Sequence, residues 1–113
     1  MSRTKEDIHS ITEDIVREVR GTLQDDVYKI ILFGSYARGD YDESSDIDIM
    51  VISDVDSSTA KKLRKPIHKV ASRLSLKNDI EVSMLIRDRK TFESRDDYPF
   101  YRSIKEEGIQ IYG

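Results

Sequence analysis

The sequence predicts a small α/β (α+β) fold, a mixed β-sheet flanked by helices. Three observations carry that expectation. Apolar residues recur at helical spacing in two segments, near 4–20 and 59–76. Short runs rich in β-branched and aromatic residues stand at 28–33, 46–52 and 79–86. The two kinds of segment alternate, the order expected when helices cover a sheet.

The chain has 113 residues, 37% of them hydrophobic, which suits one domain with one core and predicts a single domain over residues 1–113. Nineteen basic residues against 22 acidic ones leave a net charge of -3. That balance argues against binding nucleic acid by bulk charge, though a local basic patch stays open. Cysteine is absent, so disulfide scaffolds and cysteine-ligated zinc are excluded. No apolar run approaches the ~20 residues that span a bilayer, and the N-terminus lacks the apolar core of a signal peptide. The expectation is a soluble cytoplasmic protein without membrane contact.

The elements follow in order. Ile8, Ile11, Ile15 and Val19 space an amphipathic helix over Thr4–Arg20, with Thr4 as N-cap and Gly21 as stop. Tyr28–Phe33 reads as a buried strand ended by Gly34. A polar, glycine-containing stretch leads to Asp46-Ile47-Asp48-Ile49-Met50-Val51-Ile52, a strand whose first half alternates acid and isoleucine and whose second half is apolar. A loop over Ser53–Ser58 precedes a helix from Thr59 to Leu76, striped by Ala60, Leu63, Ile67, Val70, Ala71 and Leu74. Pro66 predicts a kink there, or two pieces. Asp79–Ile86 reads as a third strand. A polar connection, a short helix over Tyr98–Glu107, a stop at Gly108 and a brief strand over Ile109–Tyr112 complete the chain.

The chemistry concentrates between Gly34 and Asp48. Residues two apart in a strand point the same way, roughly 6.6 Å apart. Asp46 and Asp48 therefore converge while Ile47 and Ile49 face the core. Two carboxylates aimed at one point repel unless a cation lies between them, and oxygen-only ligation suits Mg²⁺. Gly34 lacks a Cβ and lets a phosphate approach the backbone. Ser35 opens a short helical turn whose N–H groups and hydroxyl can hold an anion, and Arg38 adds positive charge one turn on. An anion cradle on one strand end and a metal site on the next suit a Mg²⁺-nucleotide. A third carboxylate can complete a metal site or take a proton from an attacking hydroxyl. Asp79 and Glu81, two apart on the third strand, both offer one. Asp79, shorter and at the strand mouth, is slightly preferred.

A Gly-Ser pair, ten residues and then Asp-x-Asp resembles the signature of the DNA polymerase β-like nucleotidyltransferase superfamily. Gly34-Ser35-Tyr36-Ala37-Arg38-Gly39-Asp40 and Ser45-Asp46-Ile47-Asp48-Ile49-Met50-Val51 resemble its smallest members, the minimal nucleotidyltransferases or MNT family. Pro99–Ile109 looks like the closing helix of such proteins. The resemblance covers the strand–turn–strand core closely and the rest loosely. It implies the nucleotidyltransferase fold and transfer of AMP from ATP to a hydroxyl, with Mg²⁺ and release of pyrophosphate. Asp46, Asp48 and one of Asp79 or Glu81 would be catalytic, with Asp46, Asp48 and Asp79 on the metal. Gly34, Ser35 and Arg38 would bind nucleotide. It further implies an antitoxin that adds AMP to a tyrosine of a HEPN-type ribonuclease toxin. The ambiguous third carboxylate departs from the pattern.

Other features weigh less. Lys61, Lys65, Lys69 and Arg73 repeat every four residues, as a solvated helix face does; docking of an acidic partner or RNA is the rarer meaning. His9 and His68 lack partners at metal-ligand spacing. Tyr36 and Tyr41 either stack on a base or pack locally. Tyr98, Phe100, Tyr101 and Ile104 close the core or meet another chain. Two other functions stay open: transfer to a small molecule such as an aminoglycoside or to an RNA end, with a dimer supplying the missing wall, and a non-catalytic antitoxin acting by contact alone.

Overall fold

Four strands form one mixed sheet in the order β3-β2-β1-β4 in a computed structural model that describes residues 4–113: β1 Val27–Phe33, β2 Ile47–Ser53, β3 Val82–Asp88 and β4 Ile109–Tyr112. β1 runs antiparallel to β2 and β4, and β2 runs parallel to β3. Six α-helices and one 3-10 turn, Gln24–Asp26, accompany them among the described residues: α1 Lys5–Leu23, α2 Ser35–Arg38, α3 Ser57–Lys62, α4 Arg64–Asn78, α5 Arg89–Ser94 and α6 Pro99–Glu107. The α+β class expected from the sequence is the class observed.

Helix α1 starts where Thr4 and Asp7 cap it reciprocally, each side chain accepting from the other's backbone N–H. It does not stop at Gly21. Burial of Leu23, 5% exposed, draws the helix past the glycine, and the turn comes at Gln24 with φ 54°. The cost of a glycine inside a helix, about 1 kcal/mol, is outweighed by a buried leucine. Pro66 does divide the second helical segment: α3 ends before Leu63 and α4 begins at Arg64, which puts Pro66 in the first turn of α4, where its missing N–H costs nothing. The expected loop over 53–58 is shorter, because Asp56 accepts from the Thr59 N–H at 2.7 Å and starts α3 at Ser57.

Strand alternation sorts the sheet into two faces. Ile30, Leu32, Ile47, Ile49, Val51, Val82, Met84 and Ile86 pack beneath α1 and α4 in the main core. Ile31, Met50 and Ile52 pack under Phe92 of α5 and Tyr101 and Ile104 of α6 in a smaller core. Asp48, of the same parity as Met50 and Ile52, begins that second face. The basic stripe on α4 partly turns to its neighbour: Arg73 pairs with Glu18 of α1 at 2.8 Å, and beside it Lys77 pairs with Asp14 at 3.0 Å.

Candidate active site

Strand β1 ends at Phe33, and the chain turns at Gly34 with φ 76° and ψ -155°, a conformation that side chains other than glycine resist. The carbonyl of Gly34 accepts from the N–H groups of both Ala37 and Arg38 at 3.1 Å, which closes the single turn of α2 with Ser35 first. Gly39, also at positive φ, ends that turn. Tyr36 is buried and stacks on Tyr41, ring centroids 4.3 Å apart, so these tyrosines pack locally. The loop then folds on Asp42, whose Oδ1 accepts from the N–H and hydroxyl of Ser44 at 2.9 and 2.7 Å. Those bonds hold its carboxyl below the usual range.

Asp48 stands opposite Phe33 in the β1–β2 register and opposite Ser83 in the β2–β3 register. Burial, and next the like charge of Asp46, push its carboxyl above the ordinary value, while Arg38 pulls the other way. Asp46 and Arg38 therefore both act on Asp48 electrostatically. A Cβ on Gly34 would collide with the Asp48 Oδ2 atom and lie 3.3 Å from its Cγ. The missing side chain is what lets the turn and the carboxylate meet.

The meeting point opens into a cleft of about 360 Å³. Gly34, Ser35 and Arg38 line it from one side, Asp48 from the sheet, and Phe100, Ser103 and Glu107 of α6 from the other. Arg38 bonds Asp40 at 3.3 Å and lies 3.7 Å from the Glu107 carboxylate. Of this α6 wall the sequence named Phe100, as a core-closing or interface residue, and not Ser103 or Glu107. The signal was there: residues 100, 103 and 107 share a helical face. A larger cleft, about 630 Å³, lies between α1 and β4 and contains none of the candidate residues.

The two candidates for a third carboxylate separate. Strand β3 begins at Val82, so Asp79 does not stand on it; Asp79 ends α4 in the left-handed conformation, φ 51°. Aspartate tolerates that conformation because its short side chain bonds locally. Glu81 directly precedes the strand, and its carbonyl accepts from the Ile47 N–H at 2.9 Å. Extending the parallel register by one residue sets Glu81 beside Asp46. Among the described residues, no three histidine, aspartate or glutamate side chains gather closely enough to hold a metal. The expected trio of Asp46, Asp48 and Asp79 is therefore not assembled. Asp48, its charged form disfavoured by burial and then by the nearby charge of Asp46, offers a hard oxygen ligand whose strain a divalent cation with phosphate oxygens would relieve. His9 and His68 are both exposed; His9 pairs with Glu13 at 2.6 Å. Among the described residues no helix is long and apolar enough to cross a membrane.

Comparison with known proteins points the same way. Residues 13–110 match the nucleotidyltransferase domain family. Two proteins of Methanocaldococcus jannaschii, each named as a candidate protein adenylyltransferase, resemble the chain along most of its length. MJ0141 is 36% identical over 105 residues, covering 93% of this chain and 99% of that protein. MJ0604 is 34% identical over 100 residues, covering 88% and 93%. The crystal structure of a toxin–antitoxin with AMP-PNP shares the fold at a TM-score of 0.63 and 23% identity, covering 90% of this chain and 73% of that one. A variant of the toxin–antitoxin MntA-HpeT does so at 0.61 and 20%, covering 90% and 72%.

Proposed function

The chain belongs to the nucleotidyltransferase domain family, and on that premise we propose that it transfers AMP from ATP to a tyrosine hydroxyl of a protein partner, a HEPN-type ribonuclease toxin, and so acts as its antitoxin. The nucleotidyltransferase class is established by the family match; the acceptor, the metal and the partner are the proposal. One observation carries it: the Gly34–Ser35 turn, Arg38 and Asp48 line a single cleft. The names of the Methanocaldococcus relatives support a protein acceptor, and the toxin–antitoxin structures support its kind. We take residues 1–113 as one minimal domain working in the cytoplasm; residues 1–3 lie outside the described residues.

In this mechanism Ser35, the backbone at Gly34 and Arg38 bind the β- and γ-phosphates. Asp46 and Asp48 would hold Mg²⁺, which would supply charge neutralisation along the triphosphate when bound. In-line displacement requires the acceptor to enter opposite the leaving pyrophosphate. The sheet order β1, β2, β3 supports an acceptor that enters from the β3 side, where Glu81 precedes the strand. The Glu81 carboxylate takes the proton of the tyrosine hydroxyl. The phenolic oxygen bonds the α-phosphorus, the bond from that phosphorus to the bridging oxygen breaks, and pyrophosphate departs past Ser35.

The test is to incubate the chain, its copurified partner, ATP and Mg²⁺, and map added mass by peptide. AMP on a partner tyrosine, absent with Asp48→Asn, is expected. No AMP on any partner residue, or equal transfer by the variant, rejects the proposal.

A further inference from the structure

Phe100 is conspicuous on the cleft wall. Its neighbours Tyr101 and Ile104 are buried, yet Phe100 is 45% exposed. Its ring is pinned, not loose: it meets Phe33 edge-on, centroids 5.7 Å apart and planes at 83°. Phe33 is the cross-strand neighbour of Asp48. A half-exposed phenyl ring held by another ring, beside a carboxylate and an anion cradle, presents apolar surface to whatever fills the cleft.

Spacing along α6 agrees. Glu107, at one end of the lining face, approaches Arg38 of the cradle, and Phe100 is at the other end. Seven helical residues advance roughly 10 Å, the scale that separates terminal phosphates from base in a nucleoside triphosphate. The other aromatics near the site are engaged elsewhere. Tyr36 and Tyr41 cover each other, and Tyr98 packs edge-on against Tyr101 under the Arg95 guanidinium.

We propose that Phe100, braced by Phe33, is the platform on which the nucleotide base stacks, so that the cleft selects its substrate by ring area and not by base edge. The inference rests on the cleft being the nucleotide site and extends that reading to the base. Stacking on an aromatic face tolerates any base, and larger rings gain more. The polar side chains on the α6 wall are Ser103 and Glu107, and Glu107 is at the phosphate end. ATP and GTP are therefore held similarly, and CTP less well.

The experiment measures binding of Mg-ATP, Mg-GTP, Mg-CTP and Mg-tripolyphosphate by calorimetry to the parent and to Phe100→Ala, Phe100→Leu and Phe100→Trp. The expected result is an ATP affinity about tenfold weaker for the alanine variant, the lower range of base–aromatic stacking. Tripolyphosphate affinity stays unchanged, leucine fails to restore ATP binding, and tryptophan restores it. Equal loss for ATP and tripolyphosphate, full rescue by leucine, or unchanged ATP affinity in the alanine variant overturns the platform. A change confined to partner association overturns it in favour of a protein contact. Failure of the parent to bind either ligand overturns the nucleotide site itself, and is told apart because it needs no variant.

Discussion

The backbone of Gly34 lies flush against the carboxylate of Asp48, with no room between them for a methyl group. The Gly34 turn and the Asp48 carboxylate are thus one object, made by the end of β1 pressing on the start of β2. Gly34→Ala breaks it twice, through the collision and through the positive φ that alanine resists. The expected loss is about 1–3 kcal/mol of stability, and at least about 100-fold in transfer, since a shift of one ångström in a positioned group has that effect. Chemical denaturation and single-turnover transfer measure the two.

Asp48 carries a second prediction, in pH. Its folded value is raised, so the folded state favours the protonated acid. Its contribution to stability is greatest below the unfolded value, near 3.8, and declines as pH rises from there through the folded value. At neutral pH the ionised group is a net cost. Asp48→Asn should therefore melt up to a few degrees higher at pH 7 while losing transfer. In a carboxyl NMR titration of the metal-free protein, Asp46→Asn should lower the Asp48 midpoint and Arg38→Gln should raise it. A midpoint indifferent to both contradicts this account.

Glu81 and Asp79 can be told apart by rate. The backbone of Glu81 neighbours that of Asp46 one residue beyond the β2–β3 register, and Asp79 ends a helix. Glu81→Gln should lower kcat by about 100-fold or more with an unchanged melting curve, the scale of a lost general base. Asp79→Asn keeps a residue suited to positive φ and should stay within a few-fold of the parent. The reverse order would return the role to Asp79.

In the proposed mechanism Glu107 competes with the triphosphate for Arg38. Both side chains are substantially exposed, so their attraction is weak and screened by salt. Glu107→Gln should lower the KM for ATP by about two- to threefold at low ionic strength, with kcat unchanged. The difference should shrink as salt is added.

Much of this was readable in the sequence because local and tertiary demands agree there. The strand β2 alternates because one of its faces meets the main core, and its acids stand where that alternation turns polar. Thr4 and Pro66 acted as their chemistry requires. Gly21 misled because burial of Leu23 outweighed a local stop signal. Helix α5 was read as connection: six residues hold too few apolar positions for a period, although Asp88 caps it by accepting from Thr91 at 3.0 Å. Most of the α6 wall was hidden for a different reason. Its face toward the cleft is defined by where the helix docks, and periodicity reports only the buried side. Asp79 was placed on a strand because alternation extends backward past the true start, while the left-handed turn at the end of α4 leaves no periodic trace.

The alternation of β2 also guards the fold. Slipping its pairing with β1 by one residue would drive Asp46 and Asp48 beneath α1 and α4 and expel Ile47 and Ile49. Burying unpaired carboxylates costs several kcal/mol each, so the mispaired chain is rejected before it can persist. The acids thereby proofread assembly, and a chain stripped of both for the sake of stability would give up its safeguard against slipped strands and exchanged hairpins.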